Sequence, residues 1–410
     1  MIKKIPARQL RIGMYVHEFC GSWMDHPFWR ARFKVRNEAE LQRIVSGGIG
    51  ELWIDTAKGL DVEGPASDSV DRATVDAEVE RRLELLATMP APLAPMEAPG
   101  NAFDAAAALV RRSVPQIASM FREARMGHAV DLGASAQMVD EISSSVADNP
   151  GALISVVRIK NHDEYTYMHS MAVSALMVAL GRQMGLSPNL LKRAAMAGLL
   201  HDLGKAKVPL AILNKPGKLT EAEFALMKAH PQLGHAMLLR SEGAGPVVLD
   251  VCLHHHEKFD GSGYPDGLAG DKISMLAKMG TVCDVYDAIT SERPYNKGWD
   301  PGEALRRMAQ WRGHFDPAVF QAFVRTVGIY PVGSLLRLHS GVLAVVVQQN
   351  PAQPMAPKVK VFYSPRARRR IEPYELDLAS PQVEDKVLGC ESPQDWGFTD
   401  LDRLWGAPAG

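Results

Sequence analysis

Histidines with acidic neighbours are concentrated in the middle of this 410-residue chain. Eight of its 13 histidines lie between His162 and His256, and the pair His201–Asp202 directly follows the apolar run AAMAGLL. Histidine is the commonest metal ligand in proteins. Nitrogen and oxygen donors without thiolate suit iron, manganese or zinc, and a carboxylate can bridge two such ions. The spacing therefore indicates a metal site.

The number of ligand-type residues favours two metal ions. Two ions about 3.5–4 Å apart can share a water molecule, lower its pKa and stabilise both sides of a phosphoryl displacement. Lys205, one helical turn past His201, is a fitting cation for a phosphate oxygen. A histidine that stands alone, such as His235, is more often a solvated or core residue than a ligand. The candidates in chain order are His169, His201, Asp202, His230, His254, His255, His256, Glu257 and Asp284.

A glycine-rich loop, EKFDGSGYPDG, follows the histidine triplet. Gly261, Gly263 and Gly267 with Pro265 give a tight path that lets backbone approach a ligand, and Tyr264 offers a hydroxyl at its middle. A surface turn between helices is the alternative. The position of the loop, directly after the histidines, favours a part in the site.

The elements that must position these residues are helices. The stretches 165–181, 189–203 and 221–239 carry apolar stripes at helical spacing, so residues 135–327 are predicted to form an all-α unit. The proline-rich stretch 89–100 predicts a linker. The pattern from Asn101 predicts a helix. This helix either connects units in signalling or packs on its neighbour as a plain amphipathic helix. The linker and the helix together are assigned to residues 91–134.

Both ends of the chain have a different texture. Residues 1–90 predict a small α/β unit, with a strand in RQLRIGMYVHEF that turns at Gly13, a helix capped by Asn37 and Glu40, and a strand at ELWID. Residues 328–410 predict a β-rich segment with a hairpin near 340–341 and a strand at PKVKVFYS. Its arginine cluster, 366–370, is expected to form a solvated loop, and a contact with phosphate or an acidic partner is the alternative. The tail aromatics Trp396, Phe398 and Trp405 are expected to pack back on a domain.

Composition excludes several classes of protein. The 46 Lys and Arg against 47 Asp and Glu give no global field for binding a nucleic-acid polymer or an anionic membrane. The longest apolar run, 171–180, is too short to span a bilayer, and the first residues do not resemble a secretory signal. The four widely spaced cysteines predict free thiols. A cytoplasmic location is therefore expected.

The motifs HDLGK, HHHEKFDGSGYPDG and CDVYDAITSERPY closely resemble the HD-GYP family of bacterial cyclic di-GMP phosphodiesterases, over roughly residues 145–327. The first 90 residues, with LRIGMYVHE, WMDHPFWR and GIGELWIDT, are similar to the DUF3391 domain often found ahead of this catalytic domain, for which regulation is the usual suggestion. The resemblance implies a multi-domain chain. Its all-α HD-type metallohydrolase core carries a small N-terminal α/β domain and a small C-terminal β-rich segment.

The resemblance also implies residue roles. Asp202 would bridge the metals and, with Lys205, act in catalysis, while His254 is extra to the family pattern. The implied metal ligands are His169, His201, Asp202, His230, His255, His256 and Asp284. The implied substrate contacts are Lys205, Tyr264, Arg293 and Lys297.

Two departures from the family pattern refine this expectation. Tyr165 stands where some members carry a glutamate ligand for a third metal, and a phenol with a pKa near 10 is a poor substitute. Two divalent ions, iron or manganese, are therefore predicted, with linear pGpG as the main product or GMP after a second cleavage. Asn296 occupies the position of a family lysine, so the adjacent Lys297 would have to replace it.

Three functions stay open at this point. The first is a phosphodiesterase in which a metal-bridging hydroxide opens cyclic di-GMP. The second is a catalytically weak module that senses a cyclic dinucleotide or docks a signalling partner, and the third is an HD-type metal enzyme with another substrate. A homodimer is plausible because of the long helical segment ahead of the catalytic unit.

Overall fold

The computed structural model describes residues 1–20, 32–46, 49–62, 69–87, 102–158, 165–215, 217, 219–291, 298–350, 353–393 and 395–405. The predicted linker 89–100 and the predicted substrate contacts Arg293 and Lys297 lie outside these residues. Within the described part of the chain, no helix combines the length and apolar character needed to cross a membrane.

The N-terminal residues form a five-stranded sheet with a helix against it. The strand order is β3-β2-β4-β1-β5, and the paired strands run antiparallel. Val16, Leu52 and Ile54 from the sheet bury a core of their own with Met14, just before β2, and Ile44 of the helix. The elements are β1 (Ile2–Pro6), β2 (Tyr15–Phe19), β3 (Phe33–Lys34), α1 (Glu38–Ser46), β4 (Glu51–Asp55) and β5 (Val70–Asp71).

Sequence patterns predicted this unit in part. Gly13 turns the chain with φ +97°, and Asn37 accepts a hydrogen bond from the Glu40 amide at 2.9 Å, which confirms the turn and the cap. The predicted strand begins later than expected, because residues 7–9 form a short 3-10 helix. Strand β1 was not predicted.

Two helices lead from this sheet into the helical unit. Helix α2 (Arg72–Ala87) buries Val79 and Leu83 in the main helical core. Helix α3 (Ala102–Met126) also buries one face there, which supports the plain amphipathic alternative. The division of the chain at residues 90, 134 and 327 stays a prediction, although helix α4 (Leu132–Asp148) runs across the second position.

The helical unit encloses two central helices, α6 and α12, that are buried along almost their whole length. The predicted helix over 221–239 is wrong as a single element. Pro231 lacks an amide hydrogen and its ring opposes the preceding turn, so one helix ends at Lys228 and the next begins at His230. The remaining helices are α5 (Pro150–Arg158), α6 (Tyr165–Gln183), α7 (Pro188–Leu200), α8 (Leu210–Leu213), α9 (Glu221–Lys228), α10 (His230–Leu238), α11 (Pro246–His254), α12 (Met275–Thr290), α13 (Pro301–Gln310) and α14 (Pro317–Val327).

The C-terminal residues form a second antiparallel sheet, ordered β10-β6-β7-β8-β9. The predicted hairpin is confirmed as β6 and β7, which pair from Leu335 opposite Val345. A short helix, α15 (Asp402–Trp405), follows the sheet. The strands are β6 (Leu335–Leu338), β7 (Leu343–Gln348), β8 (Lys358–Ser364), β9 (Arg369–Asp377) and β10 (Val387–Cys390).

The arginine cluster of this sheet is only partly a loop. Arg369 and Arg370 begin strand β9, and Arg370 forms an ion pair with Asp400. The prediction for the tail is confirmed, because the Phe398 ring packs 5.1 Å from that of Phe362 and the tail closes over the sheet. All four cysteines are free, as expected.

Candidate metal centre

The pair His201–Asp202 lies where α7 ends and a 3-10 turn, Leu203–Lys207, begins. Gly204 in this turn touches the backbone of α10 so closely that a Cβ there would collide with the carbonyl oxygen of His230. A Cβ at Gly234 would lie 2.9 Å from the Gly204 nitrogen. These two glycines bring the pair His201–Asp202, called the HD pair below, close to His230 through direct backbone packing.

The carboxylate of Asp202 stands between two groups of histidines. Its Oδ2 lies 3.4 Å from the Nε2 atoms of both His169 and His201. Its Oδ1 lies 3.2 Å from Nε2 of His230 and 3.8 Å from Nε2 of His255. One oxygen therefore faces each group.

Asp284 on α12 also reaches both groups. Its Oδ1 lies 3.0 Å from Nε2 of His169 and 3.7 Å from Nε2 of His201, and its Oδ2 lies 3.8 Å from Nδ1 of His256. In each of two sets of three residues, the potential ligand atoms all lie within 4.8 Å of one another, and Asp284 lies close to both sets. The sets are His169, His201 and Asp202, and His230, His255 and His256. The fold thus brings together all seven predicted ligands.

Hydrogen bonds on the far side of four rings fix their orientation. The Nδ1 atoms of His201, His230 and His255 lie 2.7, 2.8 and 3.0 Å from the backbone carbonyl oxygens of Gly198, Met227 and Cys252. Nδ1 of His169 lies 2.6 Å from Oδ2 of Asp287. Each ring that donates at Nδ1 presents the lone pair of its Nε2 to the centre, the arrangement common in metal-bound histidines.

The inward-facing atoms fit metal ions better than they fit one another. Among the residues that the structure describes, Nε2 of His201, Oδ1 of Asp202 and Oδ2 of Asp284 are buried without a hydrogen-bond partner. Nε2 of His230 lies 3.2 Å from Nε2 of His255, so two lone pairs face each other when both rings donate at Nδ1. Buried polar atoms without partners are unfavourable, and a cation among them removes that penalty.

Electrostatics divides the histidines into two kinds. Burial and the neighbouring histidines His201 and His230 lower the pKa of His255 to about 3, and His256 is shifted in the same direction. Burial also opposes the charged form of His201, but Asp202 and Asp284 outweigh it and raise its pKa to about 10. Burial thus disfavours the charged forms of His255 and His256, whereas the two carboxylates favour the charged form of His201.

Two of the predicted substrate contacts lie beside this cluster. The ammonium of Lys205 is 2.5 Å from Oδ2 of Asp202, and its side chain is 21% exposed. The ring of Tyr264 stacks on His256 with centroids 4.7 Å apart, and the ammonium of Lys228 lies 4.9 Å from the centre of the Tyr264 ring. Tyr165 stacks on His169 at 6.0 Å between ring centroids.

Two family models match the chain. Residues 2–134 match a domain of unknown function, DUF3391, and residues 145–319 match the HD domain. A cyclic di-GMP phosphodiesterase of Pseudomonas aeruginosa is 52% identical over 407 residues, which cover 99% of this chain and 96% of that protein. The chain belongs to the HD-GYP family of cyclic di-GMP phosphodiesterases.

Two further proteins are similar to part of the chain. A cyclic di-GMP phosphodiesterase response regulator of Xanthomonas campestris is 37% identical over 189 residues, which cover 46% of this chain and 50% of that protein. The solved structure of an HDGYP protein from Bdellovibrio bacteriovorus covers 79% of this chain and 98% of that chain, with 18% identity and a TM-score of 0.46. Membership of this HD-domain family implies the use of divalent metal ions.

Sequence reasoning missed one buried carboxylate of the HD-GYP site, Asp287, and expected a different role for another, Glu257. Asp287, one turn after Asp284 on α12, holds the His169 ring, and the three-residue spacing of the two aspartates could have indicated it. Glu257 accepts hydrogen bonds from the amides of Asp266 and Leu268 at 2.7 and 3.0 Å, which folds the glycine-rich loop back on itself. Its place directly after the histidines suggested a ligand, but its oxygens bind this loop instead.

The first histidine of the triplet, His254, points away from the cluster. Nδ1 of His254 lies 2.8 Å from Oδ1 of Asp250, and its Nε2 lies 3.1 Å from Oδ2 of Asp266. Its side chain is partly exposed, and it belongs to neither set of converging donors. This agrees with its place outside the family pattern.

Proposed function

We propose that this chain hydrolyses a phosphodiester bond of cyclic di-GMP in a metal-dependent reaction of bacterial second-messenger signalling. The observation that carries the proposal is the meeting of seven imidazole and carboxylate side chains around Asp202, in a chain half identical along its length to a cyclic di-GMP phosphodiesterase. We further propose a cytoplasmic location.

The proposed metal ligands are the seven converging residues, and the proposed number of ions is two. The carboxylate of Asp202 supports that number, since it turns a different oxygen to each group of histidines. The mixture of imidazole and carboxylate donors without thiolate suits iron or manganese. The ligands are His169, His201, Asp202, His230, His255, His256 and Asp284.

Such ions supply Lewis acidity, which polarises a phosphoryl oxygen and makes water a stronger nucleophile. The chain itself supplies charge and position. The ammonium of Lys205 is held against Asp202 yet remains partly exposed, so it can turn toward a phosphoryl oxygen and offset charge as the bond breaks. Asp202 and Lys205 thereby act as a pair, one toward the metals and one toward the phosphate.

The remaining proposed contacts orient the dinucleotide. Tyr264 is held by its stacking on His256, so its position is tied to that of a proposed ligand. Arg293 and Lys297 are proposed to contact phosphate on the basis of the sequence motif. Linear pGpG is the proposed main product, because Tyr165 offers no carboxylate for a third ion.

The decisive experiment is metal analysis and product identification on the full chain purified without oxygen. We expect about two ions of iron or manganese per chain and conversion of cyclic di-GMP to pGpG. Chelation should abolish turnover, and reloading with the same metal should restore it. A metal-loaded chain that cleaves none of a panel of cyclic dinucleotides would contradict the proposal, and hydrolysis that survives full chelation would reject its mechanism.

The second candidate is a sensing or docking module. The two sheet units that flank the helical core favour it, because neither contributes a residue to the cluster of seven. A metal-loaded chain that binds cyclic di-GMP without cleaving it would support this candidate. A homodimer and signalling proteins as partners remain predictions.

A further inference from the structure

The N-terminal module, defined here as residues 1–87, contacts the helical unit beside the end of α12. Helix α12 carries Asp284 and Asp287 and ends at Thr290. The chain returns to this end at residue 299, where the Trp299 amide donates to the carbonyl oxygen of Ile289 at 2.8 Å. A Cβ at Gly298 would collide with the carbonyl oxygen of Thr290, so the returning strand of chain lies directly against the helix end.

Trp299 is covered by a side chain of the next helix. The guanidinium of Arg307, on α13, lies 4.2 Å from the centre of the Trp299 ring. Arg307 also donates to the carboxylate of Glu303 at 2.6 and 2.9 Å. Arg307 therefore packs on Trp299, the residue that joins the chain to the end of α12. A contact that fixes Arg307 also helps to fix Trp299.

The N-terminal module supplies a partner for this arginine. Glu18, on strand β2, forms an ion pair with Arg307, and both side chains are about four-fifths buried. The neighbouring Arg306 donates from Nε to Glu80 of α2 at 3.0 Å. The pairs are anchored by apolar packing, since Val79 and Leu83 of α2 lie in the main helical core.

We propose that Glu18 and Glu80 are positioning residues for catalysis, through which the N-terminal module fixes α13, Trp299 and the end of α12. This gives the DUF3391 region an indirect, positioning part in the reaction, and it rests on the proposed function. The chain between the two anchored ends carries Arg293 and Lys297. Loosening the anchor is therefore expected to weaken substrate binding more than it changes the metal centre.

The test uses the full, metal-loaded chain and the double variant E18Q/E80Q. We expect kcat/KM for cyclic di-GMP to fall about three- to tenfold, mainly through a higher KM, with metal content and kcat nearly unchanged. A loss of folded protein alone would lower apparent kcat and leave KM where it was. In a separate pair of variants, E80R should impair the enzyme, and E80R/R306E should recover KM because the ion pair is restored with its charges exchanged.

Glu38→Gln is the matched control, because Glu38 is exposed on α1 and accepts a hydrogen bond from Gln42 of the same helix, on the same module but outside the two ion pairs. An E18Q/E80Q variant with wild-type KM, or with higher activity than wild type, would overturn the inference while the wild-type activity upheld the proposed function. Should the wild-type chain bind but not cleave the dinucleotide, the proposed function fails and the dissociation constant from calorimetry replaces KM, with the same expectation and the same contrary result.

Discussion

The helical centre and the C-terminal sheet differ in the kind of side chain that they bury: polar groups at the centre and apolar groups in the sheet. At the centre, buried side chains include imidazoles and carboxylates, some without hydrogen-bond partners among the described residues. In the sheet, Leu335, Leu343 and Phe362 are buried together, while the charged pair of Arg370 and Asp400 stays at the surface. Burial of apolar groups stabilises a fold, whereas burial of unpaired polar groups destabilises it. The contrast marks the centre as the place where stability is given up for chemistry.

The strongest test of this contrast removes the HD pair. The variant H201A/D202A should lower hydrolysis at least about a thousandfold, because it removes the carboxylate shared by both groups and one of its histidines. Activity and metal content are the measurements, with circular dichroism to verify folding. His254→Ala is the matched control, since it alters the same histidine-rich region without touching the cluster. Full activity in the double variant would refute the role assigned to the centre.

A cavity in the sheet should have the reverse effect. Phe362 is 1% exposed and packs against Phe398. Its replacement by alanine should lower the free energy of unfolding by about 3–5 kcal/mol, while kcat of the folded fraction stays at the wild-type value. Denaturant unfolding followed by tryptophan fluorescence measures the first quantity. A large fall in kcat at full folding would show that the two regions are not separate in function.

Asp287 sharpens the comparison, because it is a buried carboxylate that touches a proposed ligand rather than a metal. Asp287→Asn should lower metal affinity about 10- to 100-fold, since the amide no longer enforces donation from Nδ1 of His169. Competition with a chelator of known affinity measures the change. Asp271→Asn, at an exposed position outside the cluster, is the control. Unchanged affinity in the Asp287 variant would assign that residue to packing alone.

The smallest expected effect concerns His254, at the edge of the centre. Hydrogen bonding to Asp250 is the main cause that raises its pKa above 6.5, against an opposing effect of burial, and Asp266 adds to the rise. The stabilisation is therefore complete below pH 6.5 and is lost as pH increases through the raised value. His254→Gln should remove this dependence, a change within about 1 kcal/mol. Unfolding measured between pH 5.5 and 8.5 checks it, and an unaltered profile would contradict the assignment.

The motifs predicted the centre better than the contacts that support it. That His201, Asp202 and His230 meet in one place could be predicted from the sequence, because their motifs are local and specific. The bond between His169 and Asp287 joins residues 118 positions apart, and no local pattern encodes such a pair. Arg293 and Lys297 remain predictions, since the structure does not describe them.

The secondary structure shows the same division between local and distant causes. The β6–β7 hairpin and the cap at Asn37 are set by neighbouring residues, and both were predicted. Strand β1 was missed because it is defined by pairing with β4, about fifty residues away. The break between α9 and α10 was missed because the apolar stripe continues across the break, although Pro231 is a local signal for a helix end.

Gly204 brings the backbone beside His201 and Asp202 into direct contact with the backbone of His230. Its backbone meets that of His230 without any side chain in the gap. The separation of the HD pair from the next histidine is therefore a property of the main chain, and enlarging a ligand elsewhere cannot retune it. Any change in the donor positions therefore has to come from rotation of the rings and carboxylates rather than from this backbone contact.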